Sequence, residues 1–197
     1  MFLKRLEVIW DGRERKVYQE GSLEGQGDVQ PGTTLPTYEG CIICGNRHVN
    51  GATLGLKFVT DQEGVQVECV PTELYSGYKG VVHGGILCAL LDETMGWSVA
   101  VARKKYFITG ELQVRFLRPV PIGMRITVRG RPVAHHERYS VAQGEIIGPD
   151  GKVHAEGTGK FYVMRADKAK KVRQYLTFAP GDWDFLGEED ASQSEKT

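Results

Sequence analysis

The chain has 197 residues, 25 basic and 25 acidic side chains, no formal net charge, and a hydrophobic fraction of 41%. That size suits one well-buried domain, and the balanced charge supplies neither a basic field for nucleic acid nor an acidic excess pointing to disorder. No apolar run is read as reaching the roughly 18–20 residues of a membrane span, and the charged start MFLKRLEVIWDGRERK lacks the apolar core of a secretion signal. Four cysteines (Cys41, Cys44, Cys69 and Cys88) are too few for a disulfide scaffold at this length. The expectation is a cytoplasmic protein with reduced thiols and no nucleic-acid or membrane partner.

In chain order, VIWDGRERKVY reads as a short hairpin about Asp11-Gly12, a dipeptide that suits a tight turn. EGSLEGQGDVQPGTTLPTYEG is a Gly/Pro/Ser/Thr-rich loop that closes an N-terminal extension over residues 1–39. LGLKFVTDQEGVQVECVP gives two alternating strands turning near Gly64. GGILCALLDETMGWSVAVARK is too long for a strand and apolar nearly all round, which predicts a buried helix. TGELQVRFLRP then sets Leu112, Val114 and Phe116 on one face and Glu111, Gln113 and Arg115 on the other. MRITVRGRPV, ERYSVAQGEIIG and KVHAEGTGKFYVM follow as strands, separated by turns at Pro121-Ile122-Gly123 and Pro149-Asp150-Gly151. Short links imply antiparallel neighbours. The predicted class is α+β: five or six antiparallel strands wrapped around one long central helix, over residues 40–164. Beyond it lie a short basic helix, DKAKKVRQYL, and an acidic tail, GEEDASQSEKT, expected to be disordered.

The helix carries the chemistry. Gly85, Cys88, Ala89, Asp92, Gly96 and Val99 form a stripe of mostly small residues that lets a ligand or a second helix approach the backbone. Asp92 sits mid-stripe, where a carboxylate needs a partner or a job. A structural acid paired with an arginine and a catalytic acid both remain open on this reading. Glu93, in line with Ile86, Leu90 and Trp97, is the second choice. His83-Gly84-Gly85 opens the helix, where free amides and the positive dipole end suit a developing oxyanion, and where glycines also permit a tight turn. Gly84 and Asp92 lie about 12 Å apart along the axis at ~1.5 Å per residue, so one carbonyl cannot touch both in one chain. If both act on one carbonyl, they come from two chains with facing helices.

Other constellations carry less. Cys41-x-x-Cys44 with His48 is one pair where a zinc signature needs two, and Cys69 would have to complete it from a strand; a tight turn with reduced thiols is preferred, and no metal is expected. His135-His136 falls in or near a strand, where neighbours face opposite ways. No Gly-x-Ser-x-Gly elbow, G-x-G-x-x-G or Walker loop occurs.

GYKGVVHGGILCALLDETMG resembles the signature of hotdog-fold acyl-CoA thioesterases of the phenylacetate-pathway (PaaI-like) type. ITGELQVRFLRPVPIGMRITVRG is similar to that family's strand after the helix, and CIICGNRHVNGATLGLKF to its upstream Cys-x-x-Cys-Gly segment. The likeness covers residues 40–164. It implies Asp92 as nucleophile or general base, Gly84 as the amide that polarises the thioester carbonyl from a partner chain, Thr109 as a positioning hydroxyl, and His83 as a supporting residue. Gly85, Ser76, Gly77 and Glu93 are expected around the substrate. Several relatives carry Asn or Gln where this chain has Gly77, a departure that leaves Ser76 or nothing to make that contact. The implied ligand is an acyl-CoA, with no metal or redox cofactor, and the implied assembly is a homodimer or homotetramer. Arg103, Lys104, Lys105, Arg115, Arg118 and Arg138 are candidates for the CoA phosphates. A non-catalytic acyl-CoA-binding module and a hotdog dehydratase or hydratase with His83 as base are the alternatives.

Overall fold

The computed structural model describes residues 29–185, together with the backbone of residues 6–10 and 15–19. β1 (Leu6–Trp10) and β2 (Arg15–Gln19) pair antiparallel with Leu6 opposite Gln19, as the hairpin reading requires. Its Asp11-Gly12 turn and the acidic tail lie outside the described residues.

The remaining elements are β3 (Val59–Thr60), β4 (Val65–Cys69), β5 (Ser76–Tyr78), β6 (Val81–Val82), α1 (Gly84–Arg103), β7 (Phe107–Phe116), β8 (Ile126–His135), β9 (Tyr139–Ile147), β10 (Val153–Val163) and α2 (Ala166–Tyr175). Six strands form one antiparallel sheet in the order β3-β4-β8-β9-β10-β7, while β5 and β6 make a separate small ladder before α1. β7 is an edge strand. The predicted strands and long helix are all present, and the small ladder is the addition.

α1 packs across this sheet through Leu87, Leu90, Leu91, Met95 and Val99, all buried. Its approach is set by a row of glycines at one register: Gly130, Gly144 and Gly157 are paired across β8, β9 and β10. A Cβ on Gly130 would stand 2.7 Å from the Thr94 carbonyl oxygen, and one on Gly144 would stand 3.0 Å from Leu91 and Met95 side chains. The row is a trough in which the helix backbone lies against the sheet backbone. Thr94 and Ser98, buried on this face, donate to the Leu90 and Met95 carbonyls at 2.6 and 2.7 Å. The helix begins at His83, whose Nδ1 accepts the Gly85 N–H at 2.9 Å, and ends on Lys104 at φ 51°.

Two readings of this helix change. At 20 residues and mean hydropathy 1.3, α1 does reach the length and composition of a membrane span; packing on the sheet makes it a core helix instead. Nor is it buried all round. In the single chain Gly85 is exposed, and Cys88, Ala89, Asp92 and Gly96 are only half-buried, so the small-residue stripe faces outward.

Flanking segments join the same body. Leu35 is fully buried, Thr37 bridges to Thr177, and Trp183 and Phe185 pack beside Tyr106. Asp182 ties them together by accepting from Lys57 Nζ (2.6 Å), the Thr34 hydroxyl (2.6 Å) and the Ala179 N–H (2.8 Å). Burial pushes its carboxyl up, but the Lys57, Thr34 and Ala179 bonds outweigh that and hold it below the usual carboxylate range. Such a group contributes stability that is complete above its unfolded-state pKa and lost as pH falls through the lower folded one. Asp182→Ala is therefore expected to cost about 1–2 kcal/mol near neutrality. Thermal unfolding from neutral into acid pH checks this: the gap between variant and wild type should close as Asp182 protonates, and a gap independent of pH would contradict it.

Candidate active site

β7 brings Thr109 to α1. Leu112 and Val114 point into the core, so strict alternation would also turn Gly110 and Ile108 inward. The register skips instead: Lys160 faces Glu111 and Phe161 faces Thr109, leaving Gly110 as the extra residue of a bulge. Parity is reversed beyond it. Ile108 is 61% exposed, Phe107 packs on the core, and the Thr109 hydroxyl donates to Asp92 Oδ1 at 2.8 Å. The bulge is what aims Thr109 at the helix. Burial pushes the Asp92 carboxyl up, with the Thr109 bond opposing.

Asp92 and Thr109 border a cavity of about 250 Å³. Its wall is apolar, from Trp97, Phe107 and Phe161, and one side is closed by Val172 of α2 and by Leu176 just past its end. Tyr106 also lines it, 6% exposed, with a buried hydroxyl that has no hydrogen-bond partner among the described residues. Neither Tyr106 nor Val172 and Leu176 were legible as cavity walls, because their stretch reads as a basic surface helix and its apolar pair is sparse.

At the start of α1, Gly84 is the first helical residue and has no carbonyl one turn back within the helix for its amide. The nearest atoms a Cβ there would meet belong to the Phe116 ring, at 3.3 Å. Gly84 and Asp92 thus stand at separate places on one helix, and the chain does not bring them together. Gly77 is constrained from behind: a Cβ would lie 3.0 Å from His83 Cα, so a larger residue does not fit without moving the loop. Ser76 donates its hydroxyl to the Glu73 carbonyl at 2.8 Å.

Glu93 lines the same cavity beside Asp92, as expected of a residue near the substrate, and its carboxylate reaches the loop before β3. Its Oε2 lies 3.1 Å from Cys41 Sγ, and Cys44 completes a group whose ligand atoms are all within 4.8 Å of one another. Burial pushes Glu93 up to about 8, and the Cys44 thiol beside Cys41 draws Cys41 down to about 5, while Cys44 itself rises. His48 is exposed and Cys69 is buried on β4; neither joins the group. His135 Nδ1 lies 3.0 Å from the Ser140 hydroxyl, whereas the His136 ring stacks on Tyr139 at 4.3 Å, so the pair shares no ligand. Of the basic candidates, Arg103 donates to the His136 carbonyl, Arg115 pairs with Glu156, and Arg118 donates to the Val153 carbonyl.

Residues 79–155 match the sequence profile of the thioesterase superfamily. A Saccharolobus solfataricus protein provisionally named an esterase is 29% identical over 114 residues, 57% of this chain and 81% of that one. A thioesterase superfamily protein of known crystal structure superposes with TM-score 0.58 at 26% identity, over 63% of this chain and 60% of its own length. The Escherichia coli PaaI protein of the phenylacetic acid degradation operon gives 0.53 at 22% identity, covering 57% of this chain and 81% of its own. A Streptococcus mutans protein solved with acetyl-CoA gives 0.52 at 20% identity, covering 55% and 88%. The chain has the hotdog fold, similar to that of these thioesterase structures.

Within that hotdog fold the orphaned Tyr106 hydroxyl is a local cost. Tyr106→Phe removes a buried group that lacks a partner, so stability is expected to stay level or rise by up to about 1 kcal/mol. Chemical denaturation measures it, and a loss of stability would show that the hydroxyl is satisfied in solution.

Proposed function

We propose that this protein is an acyl-CoA thioesterase whose active site is completed between two copies of the chain. The observation that carries the reading is the Asp92–Thr109 pair at the mouth of an apolar cavity. A half-buried carboxylate held by one hydroxyl is equipped to act on a thioester carbonyl directly or through water, and the cavity offers apolar room for an acyl group. Thioesters are reactive acyl donors, so a carboxylate and one polarising amide suffice without a triad.

The amide comes from a second chain. Gly84 of the same helix is too distant, about eight residues at ~1.5 Å each. Two features support a partner: the small-residue stripe of α1 is uncovered, and β7 is an edge strand with exposed Ile108 and Phe116. Pairing β7 edges antiparallel would make the two sheets continuous and run the α1 helices past one another, placing each Gly84 near the other's Asp92. His83 is held as the helix cap through Nδ1, which suits support rather than proton transfer. That the S. mutans neighbour was solved with acetyl-CoA favours a CoA thioester as the ligand class.

The test is CoA release from a panel of acyl-CoAs. Asp92→Asn is expected to lower kcat by at least about 100-fold and Thr109→Ala by about 10-fold. Gly84→Pro deletes the amide N–H at the first helical position, where proline is tolerated and where His83 at φ −64°, ψ 134° already has the backbone a pre-proline residue needs. It should keep the fold and lower kcat about 100–1000-fold. Tight binding of acyl-CoAs with no turnover would instead support a binding module, and unchanged activity in Asp92→Asn would remove the proposed chemistry. A dehydratase would be recognised if His83→Ala abolished activity and Asp92→Asn did not.

A further inference from the structure

The group at Cys41, Cys44 and Glu93 supplies none of the chemistry above, although Glu93 also lines the cavity, and it is built like a coordination site. Its three ligand atoms fall within 4.8 Å of one another. A tetrahedral ion with metal–sulfur bonds of about 2.3 Å and a metal–oxygen bond of about 2.0 Å sets its ligands roughly 3.5–3.8 Å apart, so the three need only small rotations to close on one ion. Cys44 is buried and Cys41 and Glu93 are half-buried.

The loop supports this arrangement. Ile43 N–H donates to Cys41 Sγ at 3.2 Å and Tyr38 N–H to Cys44 Sγ at 3.5 Å, the kind of outer bonds that orient and stabilise thiolate ligands. The turn is tight: Gly45 N–H donates to the Cys41 carbonyl at 3.0 Å, and a Cβ on Gly45 would lie 2.2 Å from that same oxygen. No other residue fits there without opening the turn, and the turn aims both sulfurs at α1. Glu93 meets them with no ion pair to any cationic side chain among the described residues. A half-buried carboxylate facing two thiols has its charge compensated by retained protons or by a cation.

We infer that Cys41, Cys44 and Glu93 form a three-ligand site for a thiophilic divalent cation of the zinc class. Two sulfurs and one carboxylate oxygen select such an ion over magnesium or calcium, which prefer all-oxygen sets. Binding forms two metal–sulfur bonds and one metal–oxygen bond and releases to solvent the protons the three groups hold, leaving a fourth position for water. The site would pin the loop after Tyr38 to the helix turn that carries Asp92. It stands independently of the thioesterase reading, since neither Asp92 nor Gly84 is a ligand.

Cobalt(II) titration of the tag-free, reduced, metal-stripped full chain tests it. The expected result is one equivalent bound, with the intense visible bands of tetrahedral cobalt and a thiolate-to-cobalt charge-transfer band, both bleached by zinc(II). Cys41→Ser and Cys44→Ser should lose the charge-transfer intensity, and Glu93→Gln should keep it while weakening affinity at least about 10-fold. Cys69→Ala with Cys88→Ala should bind as wild type does. Circular dichroism on each variant separates lost ligation from lost folding, and the wild-type titration stands by itself. A folded, reduced wild-type chain that develops no charge-transfer band would overturn the inference. So would isolation of the chain with a Cys41–Cys44 disulfide and no metal, or a Cys41→Ser variant with the wild-type spectrum.

Discussion

The depth at which α1 sits against the sheet determines where the chemistry emerges. Three glycines at one register, Gly130, Gly144 and Gly157, remove side chains from the sheet where Leu91, Thr94 and Met95 come down on it. Helix and sheet backbones therefore touch, and the contact falls one residue beyond the two carboxylates. An alanine at Gly130 would push the helix out at Thr94 and carry Asp92 and Glu93 with it. Close packing of this kind transmits strain rather than absorbing it, so the site inherits its position from the core.

From that fixed point two neighbouring acids go to different surroundings. Asp92 meets a hydroxyl that a β-bulge has turned inward, at the mouth of an apolar cavity. Glu93 meets two thiols on a loop that a glycine turn holds tight. Adjacent helical positions point about 100° apart, which is enough to give one carboxylate a hydroxyl partner and the other a pair of thiols while both line one cavity.

Much of this was legible in the sequence because it is local. The long apolar stretch from Gly84 to Arg103 and the period-2 strands after it specify the helix and sheet directly, and an acid among small residues marks Asp92 without a structure. The Thr109 contact followed from resemblance, and the bulge that produces it had only Gly110 within a strand as its signal. The partnership of Glu93 with Cys41 and Cys44 had no signal at all. The residues are some 50 positions apart, and a lone Cys-x-x-Cys points to cysteine or histidine partners, so a glutamate on a distant helix is found only when the chain is folded. The outward face of α1 was legible in part: the stripe of small residues marks a face for a ligand or a second helix, whereas apolar character nearly all round also predicted a helix buried within one chain.

The central claim is that one carbonyl is handled by two chains, and subunit complementation tests it most directly. Asp92→Asn and Gly84→Pro proteins, each inactive alone, would be unfolded together, refolded and assayed. In a mixed dimer one site inherits both defects and the other inherits neither, so random pairing should restore about a quarter of wild-type activity. A mixture that stays as inactive as its components would contradict the account, because it would mean that Asp92 and Gly84 do not act across the interface.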